Sequence, residues 1–232
     1  MSTGAIIFAR ADSRRFPAKC FHSVGNYLLL ELVIKRAQNA GIGKVIVATT
    51  FRSVDDELAE LAVSLDASLF RGDPDNLVQR ACDAIDFYNL SSFCRVNGDS
   101  PFVDAELLRA GKYILSKDIN FVTNLIDRTF PYGIALEWID SARYKELADH
   151  SERDEVEHVT KHLYRLKSSL KFKSILCELG NFSEKNLTID SETDLKRINL
   201  MLEKIPKDAI NVTYQDFIEN FFIETSKNDN NL

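Results

Sequence analysis

The segment Arg10-Ala11-Asp12-Ser13-Arg14-Arg15-Phe16-Pro17-Ala18-Lys19 sets four cations and one serine hydroxyl within ten residues. Guanidinium forks, an ammonium and backbone amides together can neutralise and orient phosphate oxygens, so this loop is a candidate grip for a triphosphate. The same composition also suits a solvated basic loop. Two other segments put carboxylates where a metal might be held. Asn97-Gly98-Asp99 follows one apolar run and Asn186-Leu187-Thr188-Ile189-Asp190 closes another. Mg²⁺ keeps several waters and takes one or two protein carboxylates plus substrate phosphates, so Asp99 and Asp190 facing one loop would suffice. Aspartate in such places also caps helices or forms turns, and Asp190 before Ser191 and Glu192 suits a helix start. His158, in Glu155-Val156-Glu157-His158-Val159-Thr160, sits among carboxylates on an expected helix. It can touch substrate, carry a proton or make a structural hydrogen bond.

Strand-like apolar runs alternate with helical patterns through the first half, which predicts βα units feeding a doubly wound, mostly parallel sheet. Strands are expected at 5–9, 44–49, 67–70 and 92–96. Helices are expected at 28–40, at 77–88, and in a segment whose Leu58, Leu61, Ala62 and Leu65 share one face. Ligands of open α/β sheets bind beyond the carboxyl ends of such strands. The basic loop and the Asn97-Gly98-Asp99 turn therefore fall on one edge. Beyond residue 118 the pattern changes. Strands at 119–123 and 134–139 flank a turn-rich segment, and charged helices follow over 141–167. This region, 119–180, reads as a β-containing arm on a single domain of residues 1–225. A last βα unit, strand 186–189 and helix 192–204, returns to the core, and 226–232 reads as a disordered tail.

Composition narrows the function classes. At 232 residues, with 45% hydrophobic and 28% charged residues, the chain can bury a substantial core. A net charge of −6 argues against a surface for nucleic acid. No apolar run approaches the roughly 20 residues that span a bilayer, and MSTGAIIFAR has no basic leader, so a cytoplasmic location is expected. Cys20, Cys82, Cys94 and Cys177 form no CxxC pair, which makes a structural zinc site an unexpected feature here.

Taken together the segments resemble a family, the cytidylyltransferases of the spore-coat polysaccharide biosynthesis protein F type. More distantly they are similar to the synthetases that join CMP to 3-deoxy-manno-octulosonate or sialic acid. The likeness runs over about residues 5–205. It rests on AIIFARADSRRFPAK, VIVATT followed by Asp55-Asp56, FRGDPDNLVQR, NGDSPFVD, RTFPYG, EHVT and LTIDSETDL, in that order.

The resemblance implies a Rossmann-like nucleotidyltransferase that moves CMP from CTP to a sugar, with Arg10, Lys19 and Asp99 as catalytic groups. Arg10, Ser13, Arg14 and Lys19 would hold the CTP phosphates, and Asp99 and Asp190 would carry Mg²⁺. Arg71, Asp75, Asn76 and Arg80 would line the nucleotide and sugar cleft, while Arg128, Glu137 and His158 would face the acceptor. The arm would form a homodimer surface. Another nucleotide as donor, or a silent sugar-nucleotide-binding member, are the alternatives. Phe16 and Ala18 stand where the family commonly has leucine and glycine, which implies a stiffer loop. Tyr132 and Ala135 stand where many relatives have arginine and aspartate. The family likeness names no owner for deprotonation of the nucleophile.

Overall fold

In a computed structural model, which describes residues 2–13 and 15–223, the strands and helices alternate much as the apolar pattern requires. In chain order they are β1 (Ser2–Phe8), β2 (Ser23–Val24), β3 (Tyr27–Leu28), α1 (Leu29–Asn39), β4 (Lys44–Thr50), α2 (Asp56–Ser64), β5 (Ser68–Gly72), α3 (Leu77–Phe87), β6 (Leu90–Asn97) and α4 (Ala105–Ile114). There follow β7 (Phe121–Thr123), β8 (Glu137–Asp140), α5 (Ser141–Ala148), α6 (Lys161–Arg165), β9 (Phe172–Ser174), α7 (Glu192–Leu202) and α8 (Tyr214–Phe217).

Seven strands form one sheet in the order β5-β4-β1-β6-β8-β7-β9. β8 alone among them runs against the others. Side chains of the central strands alternate between two cores, as a sheet covered on both faces demands. Ala5, Ile7, Val45 and Val47 pack with α1 and α2, whereas Ile6, Phe8, Ile46 and Ala48 pack with α3 and α5. A third cluster gathers α1, α7 and α8 around Leu187 and Ile189. The chain steps outward from β1 to β4 and β5, then returns to β6 on the other side of β1. That reversal opens a crevice at the carboxyl ends of β1 and β6. Gly98 lets these ends approach, because a Cβ there would lie 2.7 Å from the Ala9 Cβ and 3.1 Å from the Phe8 carbonyl.

Several expectations change. The strands of region 119–180 continue the core sheet, so its three strands share the main hydrogen-bond ladder. The strand expected at 134–139 pairs only from Glu137. Before that the buried Asn124 side chain takes the ladder's place, donating to the Ile134 carbonyl at 2.9 Å and accepting from the Leu136 amide at 2.8 Å. The strand expected at 186–189 makes a single bridge, Asn186 to Tyr132, because the Asn186 side chain turns back on the Thr188 amide. His158 lies in a run of turns, not on a helix. Residues 149–160 leave the helical path where Glu155 turns inward to Arg165 and the Val156 carbonyl accepts from the Leu77 amide at 2.7 Å. Among the described residues no helix is long and apolar enough to cross a membrane. The expected tail at 226–232 lies outside the described residues.

Candidate active site

The loop between β1 and β2 owes its path to local chemistry. Phe16 is buried and stacks on His22 with ring centroids 4.4 Å apart. Ala18 is left-handed, at φ 53° and ψ 24°, so the residue that replaces the family's glycine holds a conformation a Cβ disfavours by about 1–2 kcal/mol. Ala18→Gly should therefore raise stability, by about 0.5 kcal/mol once glycine's greater freedom in the unfolded chain is deducted. Urea unfolding of the two proteins measures this, and a lower midpoint in the glycine variant would contradict it.

This loop brings Lys19 to the sheet edge. Its ammonium lies 2.8 Å from Asp99 Oδ2 and 3.1 Å from Asp190 Oδ1. The two carboxylate oxygens are therefore no more than about 6 Å apart, and both converge on one cationic position. Asp190 does not cap α7, since Ser191 does so by accepting from the Asp194 amide, and its carboxylate is left for Lys19 and for Arg15 at 3.1 Å. The pair fits a divalent ion of the Mg²⁺ kind. Two hard oxygen donors reach one point where a positive charge already sits, and substrate phosphates and water would complete the shell. Among the described residues no group of three or more His, Cys, Asp or Glu side chains is placed to bind a metal.

Behind this triad runs an open cleft of about 880 Å³. Arg10, Ser13, Lys19, Arg80, Asp99 and His158 line it, together with Arg15, Asp75 and Tyr132. Arg80 is nearly fully buried and donates to the Asp73 carbonyl from Nε at 2.8 Å and to the Pro74 carbonyl from Nη2 at 3.1 Å. Burial lowers its pKa, but a guanidinium keeps its proton in proteins, so Arg80 stands in the wall as a fixed cation. Arg10 is half exposed, with Asp12 3.5 Å away.

Other expected site residues are placed differently. Arg71 does not line the cleft, because it donates to the Thr50 and Arg52 carbonyls at 2.8 and 2.9 Å and pairs with Asp56 at 2.7 Å. Asn76 is the cap of α3, accepting from the Gln79 amide at 2.8 Å. Arg128 stands 4.8 Å over the ring of Tyr132, and it is Tyr132 that reaches the cleft. Glu137 is fully buried beneath the floor, where it forms an ion pair with Arg95 and accepts from the Tyr164 hydroxyl at 2.6 Å. Ala135 is not among the lining residues. Arg14 lies outside the described residues.

Sequence reasoning passed over Arg95 and Tyr164, both of which line the cleft. Alternation along β6 puts Arg95 on the face of Asn97, two residues before the Asn97-Gly98-Asp99 turn, and so carried the signal for the first. Burial weighs against the charge of Arg95, but Glu137 beside it keeps its pKa above the ordinary value. Burial and Glu137 push the Tyr164 hydroxyl upward, so it remains a donor.

The wall formed by residues 149–165 carries a pH liability. His162 is fully buried, edge-on to Tyr144 with centroids 5.1 Å apart, and neither ring nitrogen has a hydrogen-bond partner among the described residues. Burial drives its pKa down to about 4, against the pull of Glu155 and with the push of Arg165. The unfolded chain takes up this proton near pH 6.5 while the folded one refuses it. Stability should fall as pH drops from 6.5 towards 4, by about 2 kcal/mol at pH 5. Glu155, held down to about 2 by its hydrogen bond to Arg165, loses its contribution only below its unfolded value near 4.5 and does not overlap that upper window. His162→Phe should flatten urea-unfolding free energies between pH 7 and 5, and an unchanged slope would assign the acid sensitivity elsewhere.

Comparison with known proteins matches this architecture to a family. A family model described as cytidylyltransferase covers residues 4–207. The chain belongs to the cytidylyltransferase family. Its relatives include the spore coat polysaccharide biosynthesis protein SpsF of Bacillus subtilis, 26% identical over 86% of this chain and 85% of that one. A 3-deoxy-manno-octulosonate cytidylyltransferase of Herminiimonas arsenicoxydans is 29% identical over 53% of this chain and 50% of its own. Among solved structures, a cytidylyltransferase from Leptospira borgpetersenii superposes with a TM-score of 0.88 at 28% identity, covering 94% of this chain and 93% of that one. The cytidylyltransferase described here is accordingly a nucleotidyltransferase enzyme with the α/β fold of its relatives.

Proposed function

We propose that this cytidylyltransferase transfers CMP from CTP to a hydroxyl of an acidic or modified sugar, releasing pyrophosphate, in the supply of a surface polysaccharide. The observation that carries the reading is the convergence of Lys19, Asp99 and Asp190, the first two lining a cleft together with Arg10, Ser13 and Arg80. The names of the relatives, one in spore coat polysaccharide synthesis and one acting on 3-deoxy-manno-octulosonate, support a sugar as acceptor. A homodimer in the cytoplasm, where CTP is available, belongs to the same reading.

Phosphoryl chemistry of this kind asks a protein mainly for position and for neutralised charge. Lys19 and Arg10 would bind the outer phosphates and hold the leaving pyrophosphate in line with the attacking hydroxyl. Asp99 and Asp190 would hold Mg²⁺, which when bound neutralises developing phosphate charge as a Lewis acid. Tyr132 and His158, which also line the cleft, would orient the acceptor. Pyrophosphate release across four nucleoside triphosphates and a panel of neutral and acidic sugars tests the proposal. Turnover with CTP and an acidic sugar is expected. Preference for another triphosphate, or binding of sugar nucleotides without any turnover, would replace it with one of the alternatives.

A further inference from the structure

The Asp55 that follows VIVATT has no place in the cleft, yet its carboxylate is fully buried. It sits at the end of a short helical turn, Ser53–Asp55, just past β4. Its Oδ1 accepts from the Ala11 amide at 2.7 Å, and its Oδ2 accepts from the Thr50 hydroxyl. A buried carboxylate is costly unless such donors surround it, so this placement is strongly specified.

The hydrogen-bond register shows what the carboxylate replaces. β1 and β4 are parallel, and their last ladder bond runs from the Ala9 amide to the Ala48 carbonyl at 3.4 Å. Parallel ladders repeat every second residue, so the next donor is Ala11 and the next acceptor would be the Thr50 carbonyl. That carbonyl is already taken by Arg71 Nε at 2.8 Å. Asp55 supplies the missing acceptor and extends the ladder by one step beyond the sheet. Arg10, between the two anchored amides, reaches the cleft. A second tie reinforces the first. Arg52 lies 3.9 Å from Asp55 and 2.8 Å from Asp12, an ion pair by distance, and Asp12 in turn faces Arg10.

We propose that Asp55 is a positioning residue for the nucleotide: through the Ala11 amide it fixes the start of the basic loop so that Arg10 and Lys19 meet the outer phosphates in register. The proposal rests on the reading that this loop grips the triphosphate. Arg71, through its hold on the Thr50 carbonyl, belongs to the same device, although it does not line the cleft.

The test compares CTP and CMP binding by calorimetry, with thermal unfolding as control. Asp55→Ala should weaken CTP tenfold or more and CMP less than twofold. Asp55→Asn keeps an acceptor for the Ala11 amide and should stay within about threefold of the parent for CTP. Thr50→Val, which removes the hydroxyl from the carboxylate at nearly constant volume, should weaken CTP about threefold and carries the test if the alanine variant does not fold. Equal losses of CTP and CMP in Asp55→Ala or Thr50→Val, tracking the fall in melting temperature, would make Asp55 structural only and overturn the proposal. Arg10→Ala separates this from failure of the underlying reading. If that variant loses CTP and CMP equally, the loop does not grip outer phosphates. If it loses CTP selectively while the Asp55 and Thr50 variants do not, only the positioning role falls.

Discussion

Asp99→Asn is expected to lower the rate constant for pyrophosphate release by about a thousandfold without unfolding the protein. The side chain is about one-third exposed and its packing is unaltered by an isosteric amide, so the fold has little to lose. What is lost is charge at the point where Lys19 and Asp190 converge. Removing one group that stabilises developing charge in a catalytic site costs roughly a hundred- to a thousandfold. The upper figure applies here because an amide also makes a poorer ligand for a hard divalent ion. Asp190→Asn should behave alike, and the double variant should be little worse than either single one, since groups that act on one centre are not additive. Circular dichroism and melting temperature report the fold, and a pyrophosphate assay at saturating CTP reports turnover. Parental turnover in Asp99→Asn would remove the acid pair from the reaction.

Much of this geometry was legible in the sequence, for reasons tied to particular residues. The continuous apolar runs AIIF and KVIVATT announced a sheet buried on both faces, and the turns after Phe8 and Asn97 had to share its carboxyl edge. That put the loops carrying Lys19 and Asp99 on one edge. Asp190 was reached through its motif, although its expected strand is only one bridge, because the Asn186 side chain rather than a ladder shapes the approach. Long-range partners were not legible. Nothing local tells that Arg71 would be claimed by the Thr50 and Arg52 carbonyls, or that Glu137 would sink beneath the floor to meet Arg95. His158 left its helix because of a tertiary bond, the Leu77 amide to the Val156 carbonyl, that helical periodicity does not encode. The left-handed Ala18 was foreshadowed in one respect, since a position where the family commonly has glycine is one where a positive φ is to be looked for.

Lys19→Met should raise the dissociation constant for CTP several-hundredfold and that for CMP less than threefold. The substitution keeps a long apolar stem and removes the ammonium, whose side chain is only 14% exposed. Charge-assisted hydrogen bonds contribute about 1.5–3 kcal/mol each, so two contacts to outer phosphates account for a loss of that order. Part of it is offset in the free enzyme, where the same ammonium now bridges Asp99 and Asp190 and must leave at least one of them to meet a phosphate. In the variant Asp99 loses its cation and Asp190 keeps Arg15 alone, so the acid pair repels the triphosphate more strongly. Mg²⁺ can take the vacated position, so the CTP deficit should shrink as Mg²⁺ is raised and be greatest in chelator. Arg10→Ala removes a cation that faces Asp12 rather than the acid pair, and its deficit should depend far less on Mg²⁺. Titration calorimetry with CTP and CMP, at several Mg²⁺ concentrations and in chelator, separates these cases. A CTP deficit in Lys19→Met that ignores Mg²⁺ would mean that the ammonium and the ion do not compete for the acid pair. Equal deficits for CTP and CMP would move Lys19 off the outer phosphates altogether.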